Sequence, residues 1–130
     1  MLSDAEEVLT INIKITSYES VKTPNEMVAM IGFEGTAKGK YFNGDILPTG
    51  VDTQKGDSAI RTLSARYMIK GKDFKGNPCK IFIENNAEIG KPYTSPTIVT
   101  DSPALDFLNH AKLWGKIDNV NGMLVIRIYK

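Results

Sequence analysis

The sequence predicts an all-β fold, a single antiparallel β-barrel of about eight or more strands with one short helix, and a few observations predict it together. Leu9, Ile11, Ile13 and Ile15 alternate with Thr10, Asn12, Lys14 and Thr16, the period-2 pattern of a strand with one buried face. Short apolar runs then recur between Gly-, Pro- and Asn-containing turns, and only one stretch carries helical signals. A chain of 130 residues, 42% of them hydrophobic, supports one core, so the expected organisation is one domain over residues 1–130. No βαβ rhythm, repeat or linker argues for anything else, and closing the sheet would remove its exposed edges.

After the Leu9 strand, Met27 to Phe33 is a continuous apolar run, too short for a comfortable helix and suited to a buried strand. Lys40 to Leu47 follows as another, with Gly44 marking a bulge or bend. Thr62 to Lys70 and Lys80 to Asn85 flank Gly71 to Pro78, whose glycines and proline let the chain reverse, and the pair reads as a hairpin. A closing hairpin joins Lys112 to Ile117 with Met123 to Tyr129 through Asp118 to Gly122, where Asn121-Gly122 supplies the positive φ of a tight turn. The helical signal is Ser102 to Asn109: Ser102 can cap, Pro103 suits the first position, and Leu105 and Leu108 share a face.

Sixteen basic residues against fifteen acidic ones leave a net charge of +1, without a Lys/Arg run, so nucleic acid and anionic membrane are not expected partners. Cys79 and His110 are the sole cysteine and histidine, which excludes an internal disulfide and a zinc cage; no metal or cofactor is expected. Asp52, Gln54 and Asp57 offer oxygens but lack the ligand spacing of a calcium loop. The opening MLSDAEEVLT carries acids where a secretory signal needs bases, and no apolar run reaches membrane-spanning length, so the expected compartment is the cytoplasm. Nothing in the pattern selects a monomer over an oligomer.

The stretch Leu47-Pro48-Thr49-Gly50-Val51-Asp52-Thr53-Gln54 reads as a strand end, a Pro-directed turn and a new extended piece, so Asp52 and Gln54 project from one face. Downstream, Ser64, Arg66 and Met68 share one face and Leu63, Ala65, Tyr67 and Ile69 the other. If the Leu63 face fills the core, Arg66 is a solvated outer residue; if the barrel keeps a cavity lined by the other face, Arg66 needs an acceptor such as Asp52. Asn85 shares a face with Ile81 and Ile83 and is a candidate polar group at a cavity mouth.

The segments Phe42 to Gln54, Leu63-Ser64-Ala65-Arg66-Tyr67, Ile81-Phe82-Ile83-Glu84-Asn85, Leu108-Asn109 and Val125 to Tyr129 resemble the family catalogued as domain of unknown function 3237. The resemblance spans most of the chain and implies a small, mostly antiparallel β-barrel with no generally established activity. The family pattern has a glycine where Thr49 stands and an aspartate where Ser64 stands, which leaves Asp52 as the acid of the motif able to serve Arg66.

The leading expectation is a barrel that binds a small carboxylate- or carbonyl-bearing molecule. Asp52, Arg66 and Tyr67 are the candidate catalytic groups, as base, oxyanion holder and acid; Gln54, Asn85 and Asn109 are candidate ligand-binding groups. Whether the chain is an enzyme stays open at this point. An enzyme version is a cofactor-independent isomerase or lyase using Asp52 and Arg66. A rival from another class is a protein-interaction module in which these residues only hold turns and caps. Weaker signals are an Asp106–His110 pair, Cys79 beside Pro78, and Trp114, Tyr93 and Phe107 as a surface on which a flat ligand could stack.

Overall fold

The computed structural model describes residues 5–130, so the first part of the acidic N-terminal stretch lies outside the described residues. The strands are β1 (Glu7–Lys22), β2 (Met27–Lys38), β3 (Phe42–Ile46), β4 (Gly50–Gly56), β5 (Arg61–Asp73), β6 (Pro78–Glu88), β7 (Ser95–Thr100), β8 (Trp114–Val120) and β9 (Met123–Tyr129). All neighbouring pairs are antiparallel, in the order β7-β6-β5-β3-β2-β1-β9-β8, and β4 continues the sheet beyond β3 by pairing with β2 and β5. The two ends of the order meet at one bridge, where Thr94 and Gly115 exchange backbone hydrogen bonds of 2.9 and 3.0 Å. This is the antiparallel barrel that the alternation predicts.

Several strands outrun their expected limits. The Gly71-to-Pro78 loop is in fact the end of β5, a short turn and the start of β6, because Gly71 and Lys72 stay paired to Gly44 and Asn43 of β3. Asp73 closes that turn: its carboxylate accepts from the backbone N–H of Lys75 and of Asn77, at 3.0 and 3.1 Å. The final hairpin likewise shortens to a two-residue connection, Asn121 and Gly122, with φ of 52° and 82°. Gly44 is not a bulge. It lies within β3 opposite Gly71, and a Cβ on Gly71 would overlap the carbonyl oxygen of Asn43. Gly71→Val is therefore expected to destabilise by about 3 kcal/mol or more, with β3 prised from β5, as read from urea midpoints.

The interior is graded from one end to the other. Along β5 the inward residues run from the half-buried Leu63 through Ala65 and Tyr67 to Ile69, and along β6 from Ala87 through Asn85 and Ile83 to Ile81. Phe42, Ile69, Ile81 and Ile128 pack the filled end. That end is plugged by a 3-10 turn (Pro103–Leu105) running into α1 (Asp106–Asn109), with Leu105 and Leu108 in the core. Ser102 caps the turn by accepting from the Leu105 N–H at 3.3 Å while its hydroxyl donates to Asp73 at 2.7 Å, which ties the plug to the β5–β6 turn. At the opposite end β1 runs beyond its last pair with β9, at Ile13 and Leu124, and continues after a bulge between Ile15 and Ser17 paired with β2 alone, so residues 14–22 are exposed on both faces.

Candidate functional site

At the open end the inward side chains do not fill the barrel. They leave a cavity of about 150 Å3 with Ile13, Phe33, Ala65 and Ile126 in its walls and Ile15 and Ile117, which are exposed, at its mouth. Its polar groups are Asp52, Gln54 and Asn85. The sheet register explains how they converge: Asp52 pairs across with Ala65, and Ala65 with Asn85, so acid and amide stand in one row on β4 and β6 with the small Ala65 between them. Two inter-strand spacings put their backbones about 10 Å apart. A larger residue at position 65 would fill that gap.

Asn85 is 1% exposed, and neither its amide nitrogen nor its amide oxygen has a hydrogen-bond partner. Leaving a buried polar group unpaired costs about 1–3 kcal/mol, so a fully orphaned amide in the interior calls for an occupant. Asp52 accepts from Gln54 Nε2 at 2.9 Å through Oδ2, and its Oδ1 has no partner of good geometry. Burial raises the Asp52 carboxyl above its ordinary value, with smaller opposing contributions from the Gln54 bond and the Ser64 backbone. Among the described residues that line the cavity there is no cation.

A raised carboxyl favours the protonated form in the folded state. Its contribution to stability is thus fully present below the unfolded-state value and is lost as pH rises through the folded-state one. Asp52→Asn is expected to be most stable relative to wild type near neutral pH, with the difference shrinking on acidification through the carboxylate range. Denaturation midpoints at a series of pH values check this, and a difference that does not change with pH would contradict it.

The other expected site residues lie elsewhere. Arg66 is on the outer face of β5, its side chain 66% exposed and paired with Glu84 across the strand at 3.5 Å. It does not face Asp52, because the Leu63–Ala65–Tyr67–Ile69 face is the one that points inward, and the oxyanion-holding role expected of it has no geometric basis. Tyr67 is buried behind Phe33, edge-on to that ring at 5.2 Å, and is not among the residues lining the cavity. Its hydroxyl has no partner, and burial pushes its pKa well above the ordinary value, which keeps it neutral. Asn109 clamps the helical plug: its carboxamide oxygen accepts from Thr100 N at 2.8 Å and its nitrogen donates to Thr100 O at 3.2 Å, at the filled end.

The weaker signals are also structural. Trp114 stacks on Tyr129 at 4.4 Å and meets Tyr93 edge-on, whereas Phe107 packs on Tyr41, so these rings form no common ligand surface. His110 and Asp106 form an exposed pair at 3.5 Å, and the Cys79 thiol is buried, with its pKa raised chiefly by that burial. Sequence reasoning found the polar groups of the cavity but missed its walls. The signal was the small Ala65 within an otherwise bulky inward face.

A family model described as "Protein of unknown function (DUF3237)" matches residues 4–92. A crystal structure of a protein with unknown function from Clostridium acetobutylicum ATCC 824 is similar at 25% identity and a TM-score of 0.80, covering 98% of this chain and 95% of that one. A β-barrel-like protein from Acinetobacter baumannii AYE is similar at 18% identity and a TM-score of 0.78, over 97% of this chain and 94% of that one. An enzyme from Penicillium herquei is similar at 20% identity and a TM-score of 0.77, over 98% and 94%. No curated protein matches the chain. Among the described residues no helix is long and apolar enough to cross a membrane.

Proposed function

We propose that this chain, which belongs to the DUF3237 family of proteins of unknown function, binds a small neutral carbonyl compound inside its barrel, between Asn85 and Asp52. The observation that carries the reading is the Asn85 amide, buried and unpartnered against the cavity. Its Nδ2 can donate to a carbonyl oxygen while apolar walls take up the rest of the molecule. A space of about 150 Å3 is of the order that holds a benzene-sized ring. With Arg66 outside and Asp52 the lone ionisable group in the lining, an anionic carboxylate would enter against a like charge, so the neutral carbonyl half of the expected ligand class is favoured.

The position of Asp52 favours an enzymatic version as a second reading. A desolvated carboxylate with a free oxygen can take a proton from the carbon next to a carbonyl, while Asn85 hydrogen-bonds the oxygen that gains the charge. Returning the proton from Asp52 to the same or the conjugated carbon completes an exchange or an isomerisation without a cofactor. Asn85 thereby takes the role expected of Arg66. The Penicillium herquei neighbour is described as an enzyme, and at 20% identity that likeness concerns the fold. An interaction module would also leave Arg66 outside, but it gives no reason for an orphaned amide in a cavity.

The test is a thermal-shift screen of neutral ketones and aldehydes beside their carboxylate analogues, on wild type and Asn85→Leu. A saturating ligand stabilises by about 2.7 kcal/mol at a hundredfold excess over its dissociation constant. Stabilisation by neutral compounds in wild type alone supports the reading. Stabilisation by carboxylates alone, or equal stabilisation of the variant, overturns it.

A further inference from the structure

The barrel wall is incomplete beside the cavity. β8 is paired along its length with β9, but among the described residues its other flank meets the rest of the sheet only at the Thr94–Gly115 bridge, and beyond that bridge Ile117 lies beside the β6–β7 connection without a ladder. A second compartment of about 170 Å3 occupies this seam, lined by Ala87, Glu88, Ile89, Lys91, Pro92 and Thr94. Leu63 and Ile117 line both compartments and form the partition between them. Neither is fixed by close packing, since Leu63 is half-buried and Ile117 is 39% exposed. Ile89 in that lining is exposed as well.

Resting on the carbonyl-binding reading above, we infer that cavity and seam form one bent cleft for an elongated ligand. Its carbonyl head sits at Asn85, and its apolar tail passes between Leu63 and Ile117 to lie along Ala87 and Ile89. The tail is the occupant that the seam's continuity with the head's cavity selects: the shared Leu63 and Ile117 lead to an apolar side formed by Ala87, Ile89 and Pro92, while Glu88, Lys91 and Thr94 give the rest of the seam a polar rim. A second, independent observation marks its far end. Thr94 is buried, and its hydroxyl, which lies against Gly115, has no hydrogen-bond partner. A tail carrying one oxygen could accept from that hydroxyl. The same seam gives the ligand its way in, because rotation of Leu63 and Ile117 opens a path that no strand pairing blocks.

The experiment measures dissociation constants of cyclohexanone and of 4-alkylcyclohexanones, from methyl to pentyl, by calorimetry with wild type, Ala87→Leu and Ile89→Glu. Wild type is expected to gain about threefold to fourfold in affinity per added methylene, the effect of burying each one. Ala87→Leu fills the seam and should flatten that gain while leaving cyclohexanone itself unchanged. Ile89→Glu, an exposed substitution that leaves the core intact, should weaken the pentyl compound most. Head binding without a chain-length gain, or a gain that survives in both variants, overturns the two-compartment cleft and spares the head site. Cyclohexanones that do not bind at all, or that bind equally to Asn85→Leu, remove the head site and the cleft with it.

Discussion

Asn85→Leu is expected to make the protein more stable and to abolish ligand binding. The wild-type amide is 1% exposed and makes no hydrogen bond through either polar atom, so replacing it with an aliphatic side chain of similar reach removes an unpaired buried donor and acceptor. Each such group costs about 1–3 kcal/mol, and the net gain after repacking should be about 1–3 kcal/mol in urea unfolding. Its direct cross-strand neighbours are Ala65 on β5 and Pro96 on β7, with Asp52 beyond Ala65. A gain in stability coupled to a loss of binding is the signature of a site kept for function against the preference of the fold. If Asn85 were instead an internal strut, the same change would destabilise.

Phe33→Ala should produce the largest loss, about 3–5 kcal/mol, together with a wider cavity. Phe33 is buried, packs edge-on against Tyr67, lies so close to Gly50 that a Cβ there would strike its ring, and forms part of the cavity wall. Truncating it removes the wall between the cavity and Tyr67 and brings the unpartnered Tyr67 hydroxyl into the enlarged space. Unfolding midpoints give the loss. A shift in ligand preference toward larger rings in the folded fraction gives the second signature, and a variant that loses stability without changing preference would place Phe33 outside the site.

Much of the barrel was legible because side-chain alternation is a local property. Leu9, Ile11 and Ile13 are buried as their period-2 spacing implies, and Asn121-Gly122 forms the tight turn that its residue types require. Ile15 departs from the pattern and lies 51% exposed, because β1 has there passed its last pair with β9 and a bulge follows. Strand ends were less legible. Gly71 reads as a turn residue in isolation, whereas its partner Gly44 is 27 positions earlier, and only their pairing shows that both strands continue.

The site divided in the same way. Asp52 and Gln54 come together because they are two residues apart on one extended strand. The orientation of Arg66 depended on which face of β5 turns inward, and the apolar Leu63–Tyr67–Ile69 set decided it, since burying those side chains leaves Arg66 on the solvent face. Asn109 looked like a site residue by its motif, yet its amide is spent on the backbone of Thr100. The cavity itself depends on Ala65 lying between Asp52 and Asn85, a relation among separate strands that no local window contains.

The most direct measurement uses the Asn85 side-chain amide as its own reporter. In 15N-labelled protein, its NH2 resonances should shift saturably when neutral ketones are titrated, and the matching carboxylates should leave them in place. Asn85 resonances that stay fixed through a panel of ketones and aldehydes, in a protein that remains folded, would contradict the claim that this cavity is a carbonyl-binding site.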